Sequence, residues 1–287
     1  MKKIVIFLTI VFVVLSCSKN NENPSWLLIQ KWELQPTNQT TVVGELTHNF
    51  SDAKVYVDNE LIGGFELPCK IPVLKSGVSK ISIYPVILNN GISATKKVYP
   101  FVEPYETNVN LLNSQVVELF PTTRYYENLN FWIEDFEDNF VNIETSPSSS
   151  ATLVKSNDAT IISSTNGNYF GRISLSTTAN NWIANTTGQL ILPAGKEIYL
   201  EIDYHNTSSL TTGLLRYSST GVLPNPNVRL NKQVPGEVEW KKIYIELREV
   251  VSGSTNAEYF EISFDALLEE GVSDTEINLD NIKVVYF

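Results

Sequence analysis

The chain has 287 residues, enough for two ordinary domains, and a formal net charge of −11. A body this acidic repels phosphate backbones and has no basic patch for anionic lipid, which sets nucleic-acid partners aside. Aromatic and β-branched residues, with frequent Asn, Ser, Thr, Gly and Pro, point to an all-β protein.

Met1-Lys2-Lys3 is basic, Ile4 to Leu15 is apolar except for Thr9, and Val14-Leu15-Ser16-Cys17 closes the segment. A charged start, a short apolar stretch and small residues at a cut site form a secretory signal, too short for a spanning helix. The closing four residues resemble the lipobox of bacterial lipoproteins. That resemblance implies a signal over 1–16, with Cys17 as the lipidated first residue of the mature protein. It also implies palmitate-type acyl chains and an outer membrane of the Bacteroidota kind. Loss of Lys2 and Lys3 moves the charge from −11 to −13. Residues 17–25 read as a polar tether, spanning roughly 25 Å when extended. Glu22 is the only acid just after the cysteine, so the membrane face stays open. With Cys17 lipidated, Cys69 has no partner for a disulfide and reads as a buried, inert thiol.

Residues 26–103 show short alternating segments. Ala53, Val55 and Val57 share one strand face, Asp58-Asn59 is a two-residue turn, and Gly63-Gly64 ends the returning strand. Ile81 and Ile83 form another inward pair, and Asn89-Asn90-Gly91 turns again. The stretch 53–63, followed by Pro68 and 75–83, resembles a PEGA-type repeat, a β-sandwich module of bacterial surface proteins. The resemblance stops after Ile83, so the broader expectation is an immunoglobulin-like β-sandwich. Residues 104–124 carry Pro104 and Pro121 without a clear period and read as a linker with at most one strand.

From Tyr125 to the last residue the alternation is strong. Ile198, Leu200, Ile202 and Tyr204 alternate with Glu197, Tyr199, Glu201 and Asp203. Ile243, Ile245 and Leu247 alternate with Tyr244 and Glu246, and Phe260, Ile262, Phe264 and Ala266 with Glu261, Ser263 and Asp265. Each reads as a half-buried strand with a polar outer face. In the closing strand Ile277 and Leu279 fall one residue out of phase with Ile282 and Val284, which predicts a bulge at Asp280-Asn281. Eight to ten strands with no helical period predict a jelly roll over 125–287.

Phe131 to Asp138, Leu192-Pro193-Ala194-Gly195 and Ile277 to Val284 resemble the opening, central and closing strands of jelly-roll carbohydrate-binding modules. Trp240 matches that family's recurrent tryptophan. The resemblance implies a structural Ca²⁺ stapling first strand to last, held by Glu137 and Asp280 with Asp138 as helper. The other reading of these acids is solvated strand ends. For a sugar, Trp182, Asn181 and Tyr169 supply aromatic faces and an amide in loop-like stretches. Two readings are open for Trp182, a stacking platform or a core residue, and the core reading is favoured.

Catalysis finds little support, and a hydrolase stays only as a third reading. His205 follows Asp203 on one strand face, but no G-x-S-x-G elbow, zinc motif or phosphate loop accompanies it. The sequence therefore predicts a non-catalytic outer-membrane lipoprotein. Its first expected role is a binding or adaptor component of an envelope assembly for secretion, motility or nutrient uptake. The alternative is a cell-surface glycan-binding lipoprotein using the jelly roll. The expected partners are the membrane, through the lipid, and envelope proteins or glycans.

Overall fold

The computed structural model describes residues 23–37, 42–162 and 167–287. The expected signal over 1–16, Cys17 and most of the expected tether lie outside the described residues.

Among the described residues ten strands precede Tyr125: β1 (Ser25–Ile29), β2 (Glu33–Leu34), β3 (Asp52–Val57), β4 (Glu60–Glu66), β5 (Cys69–Val73), β6 (Gly77–Leu88), β7 (Lys96–Val98), β8 (Tyr105–Leu111), β9 (Val116–Leu119) and β10 (Thr122–Thr123). β1 lies between antiparallel β5 and parallel β9, and β2 pairs with β10 in parallel. The facing sheet runs β4-β3-β6, with β7 and β8 on successive parts of long β6. Between the sheets lie Leu27, Ile29, Ala53, Val55, Val57, Ile71, Ile81 and Ile83. This is an immunoglobulin-like β-sandwich.

Asp58 and Asn59 both take positive φ (52° and 65°), as a two-residue hairpin turn of matching twist requires. Two expectations need correction here. Gly63-Gly64 does not end β4. The strand runs on to Glu66 after a register shift, because Gly63 lets the ring of Phe65 lie where a Cβ would be, 2.9 Å away. Nor is 104–124 a linker, since β8, β9 and β10 complete both sheets of the first module. Pro104 and Pro121 each stand just before a strand, where a missing N–H breaks no ladder. The unperiodic appearance arises because Glu106, Asn108 and Asn110 point outward.

The second module contains β11 (Asn130–Glu134), β12 (Ile143–Thr145), β13 (Leu153–Ser156), β14 (Phe170–Ser176), β15 (Asn181–Thr186), β16 (Ile198–Asn206), β17 (Leu210–Ser218), β18 (Gly221–Leu230), β19 (Lys241–Glu246), α1 (Arg248–Gly253), β20 (Tyr259–Leu267) and β21 (Asp274–Tyr286). One sheet has the order β14-β21-β16-β19 and the other β15-β20-β17-β18, which is the jelly-roll interleaving. β13 and β11 extend the first sheet, and β12 the second. The expected bulge is present. Asp203 faces Asp280 but Glu201 faces Lys283, and Asn281 takes φ 46°, so Leu279 and Ile282 both reach the core.

The outer face of the first sheet departs from expectation. Tyr199, Glu201, Asp203 and Tyr244 were predicted on a polar, solvated face, yet all are buried. The first module covers them with Phe50, Tyr99, Phe101 and Tyr125. Glu201 accepts from Tyr99 and, at 2.9 Å, from Tyr125, and lies 3.1 Å from the Lys242 ammonium. Lys242 also reaches Asp203 at 3.0 Å and Thr47 at 3.0 Å. The Asn89-Asn90-Gly91 turn docks on β19, where the Asn90 N–H donates to Tyr244 O at 2.8 Å and Asn90 Oδ1 accepts from the Glu246 N–H at 2.9 Å. The second sheet keeps an open outer face, with Ile183 and Asp265 exposed on it.

Candidate functional site

The expected sugar-binding set does not come together. Trp182 is 0% exposed, stacked on Phe264 at 5.7 Å, with its indole N–H donating to Thr145 Oγ1 at 3.1 Å. The strand alternation turns it inward beside Ala184, so the platform reading is corrected to core. Asn181 is occupied locally. Its Oδ1 accepts from the Ser150 N–H and hydroxyl, and its Nδ2 donates to Ser148 O, pinning the 146–150 turn. Tyr169 is half-buried against the core, with the Lys155 ammonium 4.1 Å above its ring. It precedes β14, on the other sheet from Trp182 and Asn181.

The expected calcium ligands divide. Glu137 Oε1 accepts the N–H groups of Asn168 (2.6 Å) and Tyr169 (2.8 Å), and Oε2 accepts Asn168 Nδ2 (3.1 Å). Burial raises its carboxyl, but these donors and Lys155 outweigh that and hold it below the usual range. Lys155 donates to the carbonyls of Glu137 (3.2 Å) and Asp138 (2.6 Å), which places an ammonium where a helper at Asp138 was expected. Asp280 is different. It is fully buried, Oδ1 accepts from the Asn281 N–H at 2.7 Å, and Oδ2 has no hydrogen-bond partner. The side-chain amide of Asn281 is equally buried and unpartnered. Burial, with the charges of Asp203, Asp135 and Glu137 pressing on it, pushes the Asp280 carboxyl up to about 9. Orphaned buried oxygens under a negative field fit a hard cation. Among the described residues no three His, Cys, Asp or Glu side chains converge on one point, so such an ion would need amide and carbonyl oxygens as well.

Sequence reasoning missed the open face of the β15-β20-β17-β18 sheet. Tyr217 and Tyr259 stand opposite each other on β17 and β20, rings stacked at 4.4 Å and 11°. Glu261, two residues along β20, accepts from the Tyr217 hydroxyl at 2.8 Å and from Asn185 Nδ2 at 2.6 Å, both on Oε2. Burial and then the Glu261 carboxylate push the Tyr217 hydroxyl up to about 12, so it remains a donor. Further along, Ser263 faces Gly213, and Asp265 faces Thr211. With no side chain at Gly213 the middle of the face is shallow. Leu215 and Ile183 add apolar surface on the same side. The alternation Glu261, Ser263, Asp265 was visible in the sequence. That Tyr217 lands on Tyr259 depends on a cross-strand register that no local pattern encodes.

No protein-family model and no curated protein matches the chain. Among solved structures it is similar to one described as carbohydrate-binding modules of the β-sandwich superfamily. That match has 14% identity over 80% of this chain and 84% of the other, with a TM-score of 0.38. It is also similar to the family 11 carbohydrate-binding module of the Clostridium thermocellum cellulase Lic26A-Cel5E, at 15% identity, 54% and 94% coverage and a TM-score of 0.34. A third match is an arabinose-bound MgGH51 α-L-arabinofuranosidase, at 13% identity, 53% and 25% coverage and a TM-score of 0.39.

Proposed function

We propose that this protein is a non-catalytic glycan-binding lipoprotein, anchored to the outer membrane through Cys17, whose ligand lies across the open jelly-roll sheet. The observation that carries this reading is the Tyr217–Tyr259 stack tied through Glu261 to Asn185. Aromatic faces stack on the apolar faces of pyranose rings, and a carboxylate and an amide beside them exchange hydrogen bonds with sugar hydroxyls. Glu261 and Asp265 make the face acidic, which favours an uncharged glycan over a uronate or a sulfated one. The adaptor role ranked first by the sequence yields to this reading, because the side chains suit ring faces and hydroxyls. The two histidines serve packing: His205 lies against Trp240 at 5.7 Å and bonds Asn278, and His48 stacks on Phe50 at 5.0 Å.

Affinity electrophoresis of the protein in neutral and in uronate polysaccharides tests the reading. Tyr217→Ala and Tyr259→Ala should each weaken binding of a neutral glycan at least about tenfold. Trp182-containing core structure should be untouched by either change, as an unaltered tryptophan emission spectrum would report. Retention of full affinity in both variants would sink the assignment of this face.

We further propose a structural Ca²⁺ held by Asp280 Oδ2, with the unpartnered Asn281 amide oxygen as a further donor and Glu137 contributing charge. Such an ion supplies positive charge to the buried carboxyl and ties the β11–β12 connection to β21. At a free Ca²⁺ concentration ~100 times its Kd the fold gains about 2.7 kcal/mol, so the melting midpoint should rise against a chelator. An unchanged midpoint removes the ion.

A further inference from the structure

The corner where the chain joins the first sheet is unusually apolar. Trp26 lies directly between Pro72 of β5 and Val116 of β9, all on the outer face. Ser25 faces Val73, so Leu74 sits one step beyond the end of that row. Gly77 faces Leu111, which brings Leu112 to the turn that joins β5 to β6, with Val78 at its other side. Leu74 is 76% exposed, Val78 78%, Val116 48% and Leu112 44%. These are four of the seventeen exposed large hydrophobic side chains among the described residues, and they lie at one end of the sandwich, Leu74 and Val116 beside Trp26 on the β5-β1-β9 sheet and Val78 and Leu112 on the facing sheet.

Charge at the corner is balanced internally. Lys75 reaches Asp58 at 3.2 Å and Glu60 at 3.5 Å, and the Lys70 ammonium lies 5.0 Å over the Trp26 ring. Aliphatic tips, one tryptophan and flanking lysines are the composition that settles at the boundary of headgroups and acyl chains. Ser25 is only eight residues after Cys17, so this corner lies within roughly 25–30 Å of any lipid carried there.

We propose that this corner is a membrane-contact surface, with Trp26, Leu74, Val78, Leu112 and Val116 seated in the headgroup layer of the bilayer that holds the lipid. The inference rests on the lipid-anchored reading above. The contact is apolar rather than electrostatic, as the acidic body requires. It fixes the first module at the membrane and turns a tethered protein into an oriented one.

The test uses the full, lipidated protein in vesicles of phosphatidylethanolamine and phosphatidylglycerol, with and without brominated acyl chains. Brominated lipid should quench part of the tryptophan emission, and Trp26→Phe should remove that component. Leu74→Asp combined with Val78→Asp should abolish the quenching while the protein still sediments with the vesicles. Sedimentation of the wild type without any quenching overturns the contact alone, whether the corner is bare or covered by another protein. Failure to sediment overturns the anchor and the contact together.

Discussion

Trp182 shows how one residue can carry two meanings until its surroundings are known. Its run Asn180 to Asn185 has the composition of a sugar-binding loop, yet β15 turns the indole into the jelly-roll core against Phe264. Trp182→Ala should therefore destabilise the protein by about 3–5 kcal/mol, through lost burial and a residual cavity. Chemical denaturation measures this. Glycan affinity of the folded fraction should be unchanged, and a selective loss of affinity without loss of stability would return Trp182 to the surface. The aromatic side chains that do face solvent, Tyr217 and Tyr259, had no such flag, because each stands in a different strand, after Leu215-Arg216 and before Phe260-Glu261, and only their pairing marks them.

At the scale of the element, β21 is the strand on which the second module closes. It pairs with β14 and β16 on either side of its first half, and with β11 and β16 in its second. The extra residue at Asn281 keeps Ile277, Leu279, Ile282 and Val284 all inside. Deleting Asn281 would turn Ile282 and Val284 outward and Lys283 inward, since side chains alternate with a strict period of two. We expect that variant to be recovered as an insoluble or unfolded chain. A soluble, cooperative melt within a few degrees of wild type would show that the register re-forms without the bulge. The phase break was legible in the sequence because both halves of the strand are apolar. The conversion of 104–124 from linker to three strands was not, because these strands bury few residues and their polar side chains face outward.

The two modules share a buried polar interface, and that governs the behaviour of the whole molecule. Glu201 is pushed up by burial, but Lys242, Lys283, Tyr99 and Tyr125 together hold it below its usual range. Burial disfavours the Lys242 ammonium, yet Asp203 and Glu201 raise it above its usual value. The stabilisation from Glu201 is thus present above about pH 4.3 and lost as pH falls through its lower folded value. That from Lys242 is complete below about pH 10.4 and lost as pH rises through its higher folded value. Lys283 opposes this, since burial and Lys242 lower it to about 8 and its strain is relieved as pH climbs from there. Tyr244 and His48 complete the charged and titratable surroundings. Scanning calorimetry should show one transition for both modules, broadest in stability at neutral pH. Glu201→Gln should cost about 3–5 kcal/mol, because it leaves Lys242 with one fewer counter-charge in a closed interface. Two separate transitions would mean that the modules unfold independently.

By itself the sequence determined the all-β class, the hairpin at Asp58-Asn59, the inward faces of β16, β19 and β20, and the bulge in β21. All of these follow from period, turn chemistry and the phase of apolar residues within one segment. Only the tertiary structure decided that the polar faces of β16 and β19 are covered, that Tyr217 meets Tyr259, and that Asp280 is left with an unpartnered oxygen. Those features arise between segments far apart in the chain. Whether a polar strand face meets water or another module depends on docking, which alternation along one strand does not encode.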